Sequence, residues 1–243
     1  MGRKRISVLN VLIDAVTMAK AVKIVEEFIA ARKPRLIATA NAEMVMMAQN
    51  DCELKKILNN ADLVVPDGAG VVWAAKYSGE LIPERVAGFD LVQQILRKAA
   101  KNNYRIYFFG GAPGIAEQAK TWAETNYAGV KIVGVRNGFF ASDDEPRIIN
   151  EIKSSNPDVL LVALGVPKQE KWLAQNIAQL GVPIAIGVGG TFDVMAGVVN
   201  RAPIWMQRAN LEWLYRLLSQ PQRALRMLAL PRFVLKVMSF KKH

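Results

Sequence analysis

The chain has 243 residues, of which 51% are apolar and 22% are charged, and its formal net charge is +11. This apolar content predicts a globular protein with one sizeable core and excludes a disordered chain. The single cysteine, Cys52, excludes an internal disulfide, and we expect it to pack within a helix. The only histidine, His243, is expected to fray at the chain end, which argues against a His/Cys zinc centre or a Ser-His-Asp triad.

Short β-branched runs alternate with helical patterns through residues 1–199. The basic start followed by an apolar run mimics a signal peptide, but Asn10 and Asp14 interrupt that run, which favours a first strand. The predicted strands are Ile6–Ile13, Arg35–Thr39, Leu63–Val65, Arg105–Phe109, Lys131–Val135, Val159–Leu164 and Ile184–Val188. The predicted helices are Ala15–Ala31, Glu43–Asn59, Gly70–Lys76, Leu91–Asn102, Ile115–Asn126, Glu145–Ser154 and Lys168–Leu180.

Several of these strands, such as Val159–Leu164, are apolar on both faces. That pattern is typical of a parallel sheet covered by helices on each side. Repeated βα units imply right-handed crossovers. We therefore predict an α/β body over residues 1–199 with a doubly wound, mostly parallel, Rossmann-like sheet, followed by an amphipathic helical tail over residues 200–243.

Nearly every predicted strand of the body ends in a loop rich in Gly, Asn or Asp. In an open α/β sheet these carboxyl-end loops form the binding crevice. A single loop of this kind would be explained by glycines that turn the chain, whereas five at one edge favour a binding site. The five loops are Thr39–Asn41, Pro66–Gly70, Gly110–Gly114, Gly165–Pro167 and Gly187–Gly190.

The loop Gly110–Gly114 follows a strand and opens a helix, so its backbone N–H groups are candidates to hold a phosphate. The loop is neither a Walker A loop nor a G-x-G-x-x-G fingerprint, and the following strand lacks the expected acid. A nicotinamide cofactor is therefore poorly supported, and we expect no cofactor, while binding of some nucleotide stays open.

Two carboxylates, Asp67 and Asp193, are candidate general bases because each lies in a Gly-containing loop after a predicted strand. Each carboxylate would serve equally well as a helix cap. Arg85 is a candidate for contacting an anionic substrate, and its alternative is a surface ion pair with Glu84 or Glu80.

Metal binding is not favoured by the acidic residues. Many sugar-nucleotide enzymes hold a divalent cation on the leaving diphosphate with an Asp-x-Asp pair, and this sequence has none. The one acid cluster, Asp143–Glu145, is interpreted as the start of a helix. Arg, Lys and backbone dipoles would then have to meet the charge of such a leaving group.

The tail carries most of the net charge. Residues 201–243 contain nine Lys and Arg residues and one acid, Glu212, which gives eight of the eleven net positive charges. A basic, aromatic and amphipathic segment predicts a protein that acts at an anionic surface. A membrane is the preferred interpretation of that surface. No run reaches the ~20 apolar residues that span a bilayer, so we expect a cytoplasmic protein with peripheral membrane contact.

Prolines at positions 221 and 231 are predicted to divide the tail into three pieces, which are Ile204–Gln220, Gln222–Leu230 and Arg232–Phe240. Helical spacing in the first piece favours packing on the body, through Trp205, Leu211, Trp213, Leu214, Leu217 and Leu218. Basic groups interleave with apolar ones in the later pieces, which favours membrane contact there, through Leu225, Leu228, Phe233 and Val237. An exposed apolar tail would also allow a homo-oligomer, and the oligomeric state stays open on the sequence.

Seven motifs resemble the WecG/TagA/CpsF glycosyltransferases in sequence and in order, over about Ile6 to Arg226. Each motif is weak alone, but the ordered set is specific. The motifs are Thr39–Glu43, Pro66–Gly70, Pro83–Asp90, Phe109–Gly111, Gly165–Glu170, Gly187–Asp193 and, in the tail, Arg201–Pro203 followed by Leu211–Arg216 and Pro221–Arg223.

The resemblance implies a reaction. A family member of this kind would transfer N-acetylmannosamine from a UDP donor to the 4-hydroxyl of N-acetylglucosamine on undecaprenyl diphosphate, at the inner face of the membrane. The transfer would invert the anomeric centre, need no metal and form a β-1,4 link in an early step of wall teichoic acid synthesis. N-acetylmannosamine uronic acid and glucose remain alternative donor sugars.

The resemblance also implies roles for individual residues. Asp67 matches the catalytic base, with Thr39 and Arg85 also in the catalytic group. Thr39 and Asn41 match a polar pair on the acceptor side, while Arg85 and Gln169 match substrate contacts, Arg85 near the diphosphate. The further candidates for substrate binding are Gly110, Gly111, Gly165, Gly189, Asp193, Arg216, Arg223 and Arg226, of which the three arginines would close over the site.

Two other classes of protein stay open on the residues alone. A nucleotide-dependent oxidoreductase would keep the α/β body but lacks the fingerprint and a catalytic histidine. A nucleic-acid-binding module would use the basic tail on phosphates, yet no recognised motif of that class is present and the crevice loops would have no role. We therefore expect no nucleic-acid partner.

Overall fold

The computed structural model describes residues 3–209, 211–219 and 228–240. Its main sheet has six strands, all parallel, in the order β4-β3-β8-β7-β5-β6. This arrangement confirms the predicted α/β fold with a parallel Rossmann-like sheet. The six strands are β3 (Arg35–Ala40), β4 (Leu63–Pro66), β5 (Arg105–Gly110), β6 (Lys131–Arg136), β7 (Val159–Ala163) and β8 (Ile184–Gly187).

Helices cover both faces of the sheet, as the two-sided apolar strands predicted. The helices of the body are α1 (Met18–Ala31), α2 (Ala42–Asn50), α3 (Cys52–Asn60), α4 (Ala69–Tyr77), α5 (Gly88–Asn102), α6 (Ile115–Asn126), α7 (Glu145–Ser154), α8 (Lys168–Leu180) and α9 (Thr191–Met195). One face of the sheet packs against α2, α3, α4, α7 and α8, and the other face packs against α1, α5, α6 and α9. A 3-10 turn, Ser142–Asp144, leads into α7, so the acid cluster lies at a helix start as predicted.

The first predicted strand is wrong, because residues 6–13 form part of a hairpin. Strand β1 (Arg5–Val8) pairs antiparallel with β2 (Val11–Asp14), and Val8 faces Val11 across the turn. The two turn residues, Leu9 and Asn10, have φ values of 49° and 63°, which suits a two-residue hairpin turn. The buried Asp14 carboxylate accepts a 2.8 Å hydrogen bond from Val64 N and so ties the hairpin to β4.

The predicted helix Glu43–Asn59 is two helices. Asp51 lies between α2 and α3 in an extended conformation, and its side chain accepts a hydrogen bond from Leu54 N at 2.9 Å. This N-cap starts a new helix in a new direction. Cys52 begins α3 and is exposed, so the expectation that its thiol packs in the helix is wrong.

The tail has three described helices, α10 (Ile204–Arg208), α11 (Glu212–Ser219) and α12 (Ala229–Phe240). Helix α12 begins before Pro231, so the predicted boundary at Arg232 is wrong. Proline is tolerated here because it lies in the first turn, where backbone N–H groups have no partner within the helix. Among the described residues, no helix combines the length and the hydropathy needed to cross a bilayer.

The predicted packing of the tail is wrong in part, because α12 packs on the body and also exposes Leu235 and Phe240. Phe233 and Val237 of α12 are buried, and the Phe233 ring lies 3.7 Å from the position that a Cβ on Gly70 would take. By contrast, Trp205 is 65% exposed and Trp213 is 42% exposed. Helix α12 therefore docks on the body near the start of α4, while α10 and α11 present aromatic side chains to solvent.

Candidate active site

The carboxyl ends of the central strands open into one cleft with a volume of about 690 Å³. Parallel strands end at the same edge of a sheet, so the loops that follow them meet there. Eight of the residues predicted as site residues line this cleft, namely Thr39, Asn41, Asp67, Gly111, Gly165, Gln169, Gly189 and Asp193.

Asp67 follows β4 directly and is held by its backbone, since its N–H donates to Ala40 O at 2.8 Å. The N-cap residue of α4 is Gly68, which has a φ of 97° and makes no side-chain cap. Asp67 therefore lies one residue before the N-cap position of α4, and its role as the base stays a prediction.

Gly88, the first residue of α5, makes room beside this carboxylate. A Cβ at position 88 would lie 3.4 Å from Asp67 Oδ2 and 3.1 Å from Thr39 Cγ2. The aspartate and the threonine thus approach the same glycine from two neighbouring strands, β3 and β4. Asn41 completes this wall of the cleft as the N-cap of α2, where its Oδ1 accepts from Met44 N at 2.9 Å.

Asp193 lines the cleft from α9, a five-residue helix whose first turn holds it. Its backbone carbonyl accepts hydrogen bonds from Val198 N and Val199 N at 3.0 and 3.1 Å. Two carboxylates, Asp67 and Asp193, therefore reach one cleft from the segments that follow β4 and β8.

The glycine loop after β5 has two parts. Gly110 has a φ of 125°, and a Cβ there would lie 2.4 Å from Ala163 O. This residue packs against β7 behind the cleft and does not line it, whereas the next residue, Gly111, does. Gly111 is fixed on both sides, donating to Ala163 O at 2.9 Å and accepting from Gly138 N at 2.8 Å.

A buried polar pair lies beneath the loop after β8. Gln169 Oε1 accepts from Gly189 N at 3.1 Å, and its Nε2 donates to Glu170 Oε1 at 2.7 Å. Glu170 is only 2% exposed, and this burial raises the pKa of its carboxyl to about 7 despite the hydrogen bond from Gln169. Gly187 clears the space for the pair, because a Cβ there would lie 2.5 Å from Gln169 Nε2.

Arg85 does not line the cleft, and its partner is a residue of the tail. Its Nη1 lies 2.5 Å from Glu212 Oε2. The alternative partners expected from sequence are engaged elsewhere, since Glu84 accepts from Met18 N and Glu80 pairs with Lys4. The surface ion pair proposed for Arg85 with those two acids is therefore wrong.

Arg201 is a cleft residue that sequence reasoning did not single out for the site. Its guanidinium donates two hydrogen bonds to the Asp90 carboxylate, at 2.6 and 2.8 Å. It also lies 4.7 Å from the centre of the Phe89 ring. Its Nε lies 3.3 Å from Glu212 Oε1. The sequence did carry one sign of its importance, because Arg201 begins the family motif Arg201–Pro203. That motif does not show which residues the Arg201 side chain contacts.

The far wall of the cleft combines aromatic side chains with a cation. Lys168 Nζ lies 4.8 Å from the centre of the Phe140 ring, and the neighbouring Phe139 is largely exposed. The described charged residues that line the cleft are Glu43, Asp67, Asp193, Lys168 and Arg201. Within the described residues, no three His, Cys, Asp or Glu side chains come together as a metal site.

Comparison with known proteins identifies the family. The model of the "Glycosyl transferase WecG/TagA/CpsF family" matches residues 6–243. The chain belongs to the WecG/TagA/CpsF glycosyl transferase family. Its similarity therefore extends through both the body and the tail.

Three similar proteins carry the name N-acetylglucosaminyldiphosphoundecaprenol N-acetyl-beta-D-mannosaminyltransferase. The protein of Bacillus spizizenii is 35% identical over 210 residues, which cover 86% of this chain and 81% of the relative. That of Bacillus subtilis is 35% identical over 208 residues, 86% of this chain and 80% of the relative. That of Staphylococcus aureus strain MW2 is 30% identical over 240 residues, 98% of this chain and 94% of the relative.

The tail arginines that the family resemblance singled out are not placed by the structure. Arg223 and Arg226 lie outside the described residues, as does the side chain of Arg216. Their role in closing the site stays a prediction. The tail residues that do meet the body's charged groups are Arg201 and Glu212.

Proposed function

We propose that this glycosyltransferase moves N-acetylmannosamine from UDP to the 4-hydroxyl of N-acetylglucosamine on undecaprenyl diphosphate, with inversion and without a metal ion. The product would carry a β-1,4 link and enter wall teichoic acid synthesis. The name shared by the relatives supports the acceptor and the transferred sugar. The single observation that carries the proposal is the cleft, which brings Asp67, Thr39 and Asn41 to one wall beside glycine-rich loops.

Inverting transfer needs one base on the acceptor side. In the proposed reaction, Asp67 takes the proton of the acceptor hydroxyl as that oxygen attacks the anomeric carbon. The bond from this carbon to the UDP oxygen breaks on the opposite face. Thr39 and Asn41 are proposed to orient the acceptor sugar, because they flank Asp67 on the same wall.

UDP leaves with negative charge that the protein must stabilise. Three glycine loops line the cleft, at Gly111, Gly165 and Gly189, and Lys168 supplies positive charge there. A cation in such a position stabilises a departing diphosphate. Gln169 is proposed to keep the Gly189 loop in place through its 3.1 Å hydrogen bond.

We also propose that the tail binds the anionic inner face of the cell membrane. The exposed side chains of Trp205 and Trp213 lie on α10 and α11, and Arg208 of α10 is also exposed. Basic residues contribute ~1 kcal/mol each near anionic lipid, so a few would give reversible, peripheral binding. Formation of a homo-oligomer through the same exposed surface stays a prediction.

The test is release of UDP from UDP-N-acetylmannosamine, in EDTA, with a GlcNAc-diphosphate-lipid acceptor. The expected result is acceptor-dependent release that falls by orders of magnitude in Asp67→Asn and much less in Asp193→Asn. The reverse order of these two variants would move the base to Asp193. No release by the wild type with this donor, but release with UDP-N-acetylmannosamine uronic acid or UDP-glucose, would change the donor sugar.

A further inference from the structure

Four charged residues from distant parts of the chain meet at the edge of the cleft. Glu212, the first residue of α11, contacts Arg85 through Oε2 at 2.5 Å and Arg201 through Oε1 at 3.3 Å. Arg201 in turn donates two hydrogen bonds to the carboxylate of Asp90 in α5, at 2.6 and 2.8 Å. Glu212 is therefore the residue of this group that joins both guanidiniums.

The network is partly withdrawn from solvent. The side chains of Glu212, Arg85 and Arg201 are only 16–22% exposed. Ion pairs in such places are screened less than pairs on the open surface. Two arginines held by one carboxylate also lose little further freedom when an anion arrives, because their side chains are already ordered.

The network lies between the cleft and the exposed part of the tail. Arg201 lines the cleft. Val86, the neighbour of Arg85, donates its N–H to Pro66 O at 2.9 Å, one residue before Asp67. Trp213, the neighbour of Glu212, is exposed to solvent. The two arginines therefore connect a residue of the cleft with a helix whose Trp213 is exposed.

We propose that Glu212 is a positioning residue, which holds Arg85 and Arg201 at the cleft edge so that they receive the diphosphate of the lipid-linked acceptor. This inference rests on the proposed function and adds a residue to it. The acceptor is the substrate concerned because it is tethered to lipid and must arrive from the membrane side. When α11 docks, the Glu212 carboxylate thus fixes two guanidiniums at the edge of the cleft.

The experiment compares the wild type with Glu212→Ala, Glu212→Gln, Arg85→Ala and the double variant Arg85→Ala/Glu212→Ala. We expect Glu212→Ala to raise the KM for the acceptor about tenfold while kcat and the KM for the UDP donor change less than about threefold. The effects of the two changes should be less than additive in the double variant, because without Arg85 the loss of Glu212 releases only Arg201. Glu212→Gln keeps the shape and one acceptor oxygen, and it should fall between wild type and Glu212→Ala.

The matched control is Glu26→Gln, which removes a carboxylate paired with Lys98 at 3.0 Å, outside the residues that line the cleft. This variant should leave both KM values unchanged. Equal effects of Glu212→Ala on donor and acceptor, additive effects in the double variant, or an unchanged acceptor KM would each overturn the inference. If Glu212→Ala does not fold, Glu212→Gln carries the same comparison.

Binding without turnover separates this inference from the proposed function. Affinity for the GlcNAc-diphosphate-lipid acceptor in detergent is measured without donor, for wild type, Glu212→Ala and Glu212→Gln. About tenfold weaker binding by Glu212→Ala would support the inference even if the wild type transfers none of the tested sugars, in which case only the proposed reaction fails. Equal binding by all three proteins would overturn the inference even if the wild type is active.

Discussion

Glu170 and Gln169, neighbours at the start of α8, form a buried hydrogen-bonded pair under the floor of the cleft. Glu170 Oε1 accepts from Gln169 Nε2 at 2.7 Å, and the other carboxyl oxygen, Oε2, is buried without a hydrogen-bond partner. The Oε1 of Gln169 in turn accepts a hydrogen bond from Gly189 N. A buried carboxyl thus orients an amide that holds a cleft loop.

The pair predicts how stability depends on pH. Burial raises the pKa of the Glu170 carboxyl from 4.5 to about 7. Between these values the folded protein keeps a proton that the unfolded chain has released, so this contribution to the free energy of unfolding is full below pH 4.5 and is lost as the pH rises through 7. The loss is about 3 kcal/mol, since one pKa unit corresponds to about 1.4 kcal/mol.

Glu170→Gln is neutral at every pH and should not show this loss. We expect the variant to gain stability relative to the wild type by up to about 3 kcal/mol as the pH rises from about 5 to about 8. Urea unfolding of both proteins across that range measures the difference. A difference that does not change with pH would show that Glu170 titrates as an ordinary carboxyl.

Gly187 gives a second test of the same pair. Its missing side chain matters because a Cβ would lie 2.5 Å from Gln169 Nε2 and 2.9 Å from Glu170 Oε1. Gly187→Ala should displace the Gln169 amide from Gly189 N and lower kcat/KM about tenfold, since small displacements at a reacting site are costly. The measurement is steady-state UDP release.

The control for Gly187→Ala is Gly79→Ala, on an exposed turn. Gly79 has a φ of 83° and no heavy atom within 4 Å of the position of a Cβ. Alanine there should cost about 1 kcal/mol of folding stability through backbone strain and leave kcat/KM unchanged. Equal losses of activity in both variants would point to general destabilisation and not to the Gln169 contact.

The sequence was sufficient for the architecture of the sheet because its signals are local and repeated. Strands such as Val159–Ala163 are apolar on both faces, and glycine loops follow them. The hairpin was missed because its turn puts Leu9, a residue that seldom adopts positive φ, beside the more usual Asn10. The break at Asp51 had a visible signal, an acid three residues before Leu54.

The rest of the site depends on contacts that no local pattern carries. Arg85 and Glu212 are 127 residues apart in sequence, and Arg201 and Asp90 are 111 apart. In the tail, periodicity shows that an apolar stripe exists but not which surface covers it. Periodicity therefore did not show that Phe233 is buried and Trp213 is exposed.

Docking of α12 on the body predicts a large effect at Phe233. This ring is only 1% exposed, whereas Phe240 on the same helix is 51% exposed. Phe233→Ala should weaken docking by about 3 kcal/mol, as expected for a buried Phe. Hydrogen exchange of the α12 backbone should then accelerate about a hundredfold, because the helix opens without global unfolding. Phe240→Ala is the control and should change exchange little; equal acceleration would place α12 off the body in solution.

Membrane contact by the tail predicts a difference between two equally exposed leucines. Leu218 on α11 is 70% exposed and Leu81 on the body is 73% exposed. Burying a Leu side chain in the interfacial region gains about 1.5 kcal/mol or more, so Leu218→Ser should weaken vesicle binding about tenfold. Leu81→Ser should leave binding unchanged, because this residue lies outside the tail.

Co-sedimentation with phosphatidylglycerol-containing vesicles measures both variants, and vesicles of phosphatidylcholine alone test the part played by charge. We expect wild-type binding to fall on the neutral vesicles, because the basic residues of the tail then lose their attraction to the surface. Binding to neutral vesicles that equals binding to anionic ones would make the contact purely apolar. Equal weakening by Leu218→Ser and Leu81→Ser would mean that α11 has no special place in the contact, and that the membrane-facing surface extends over the body.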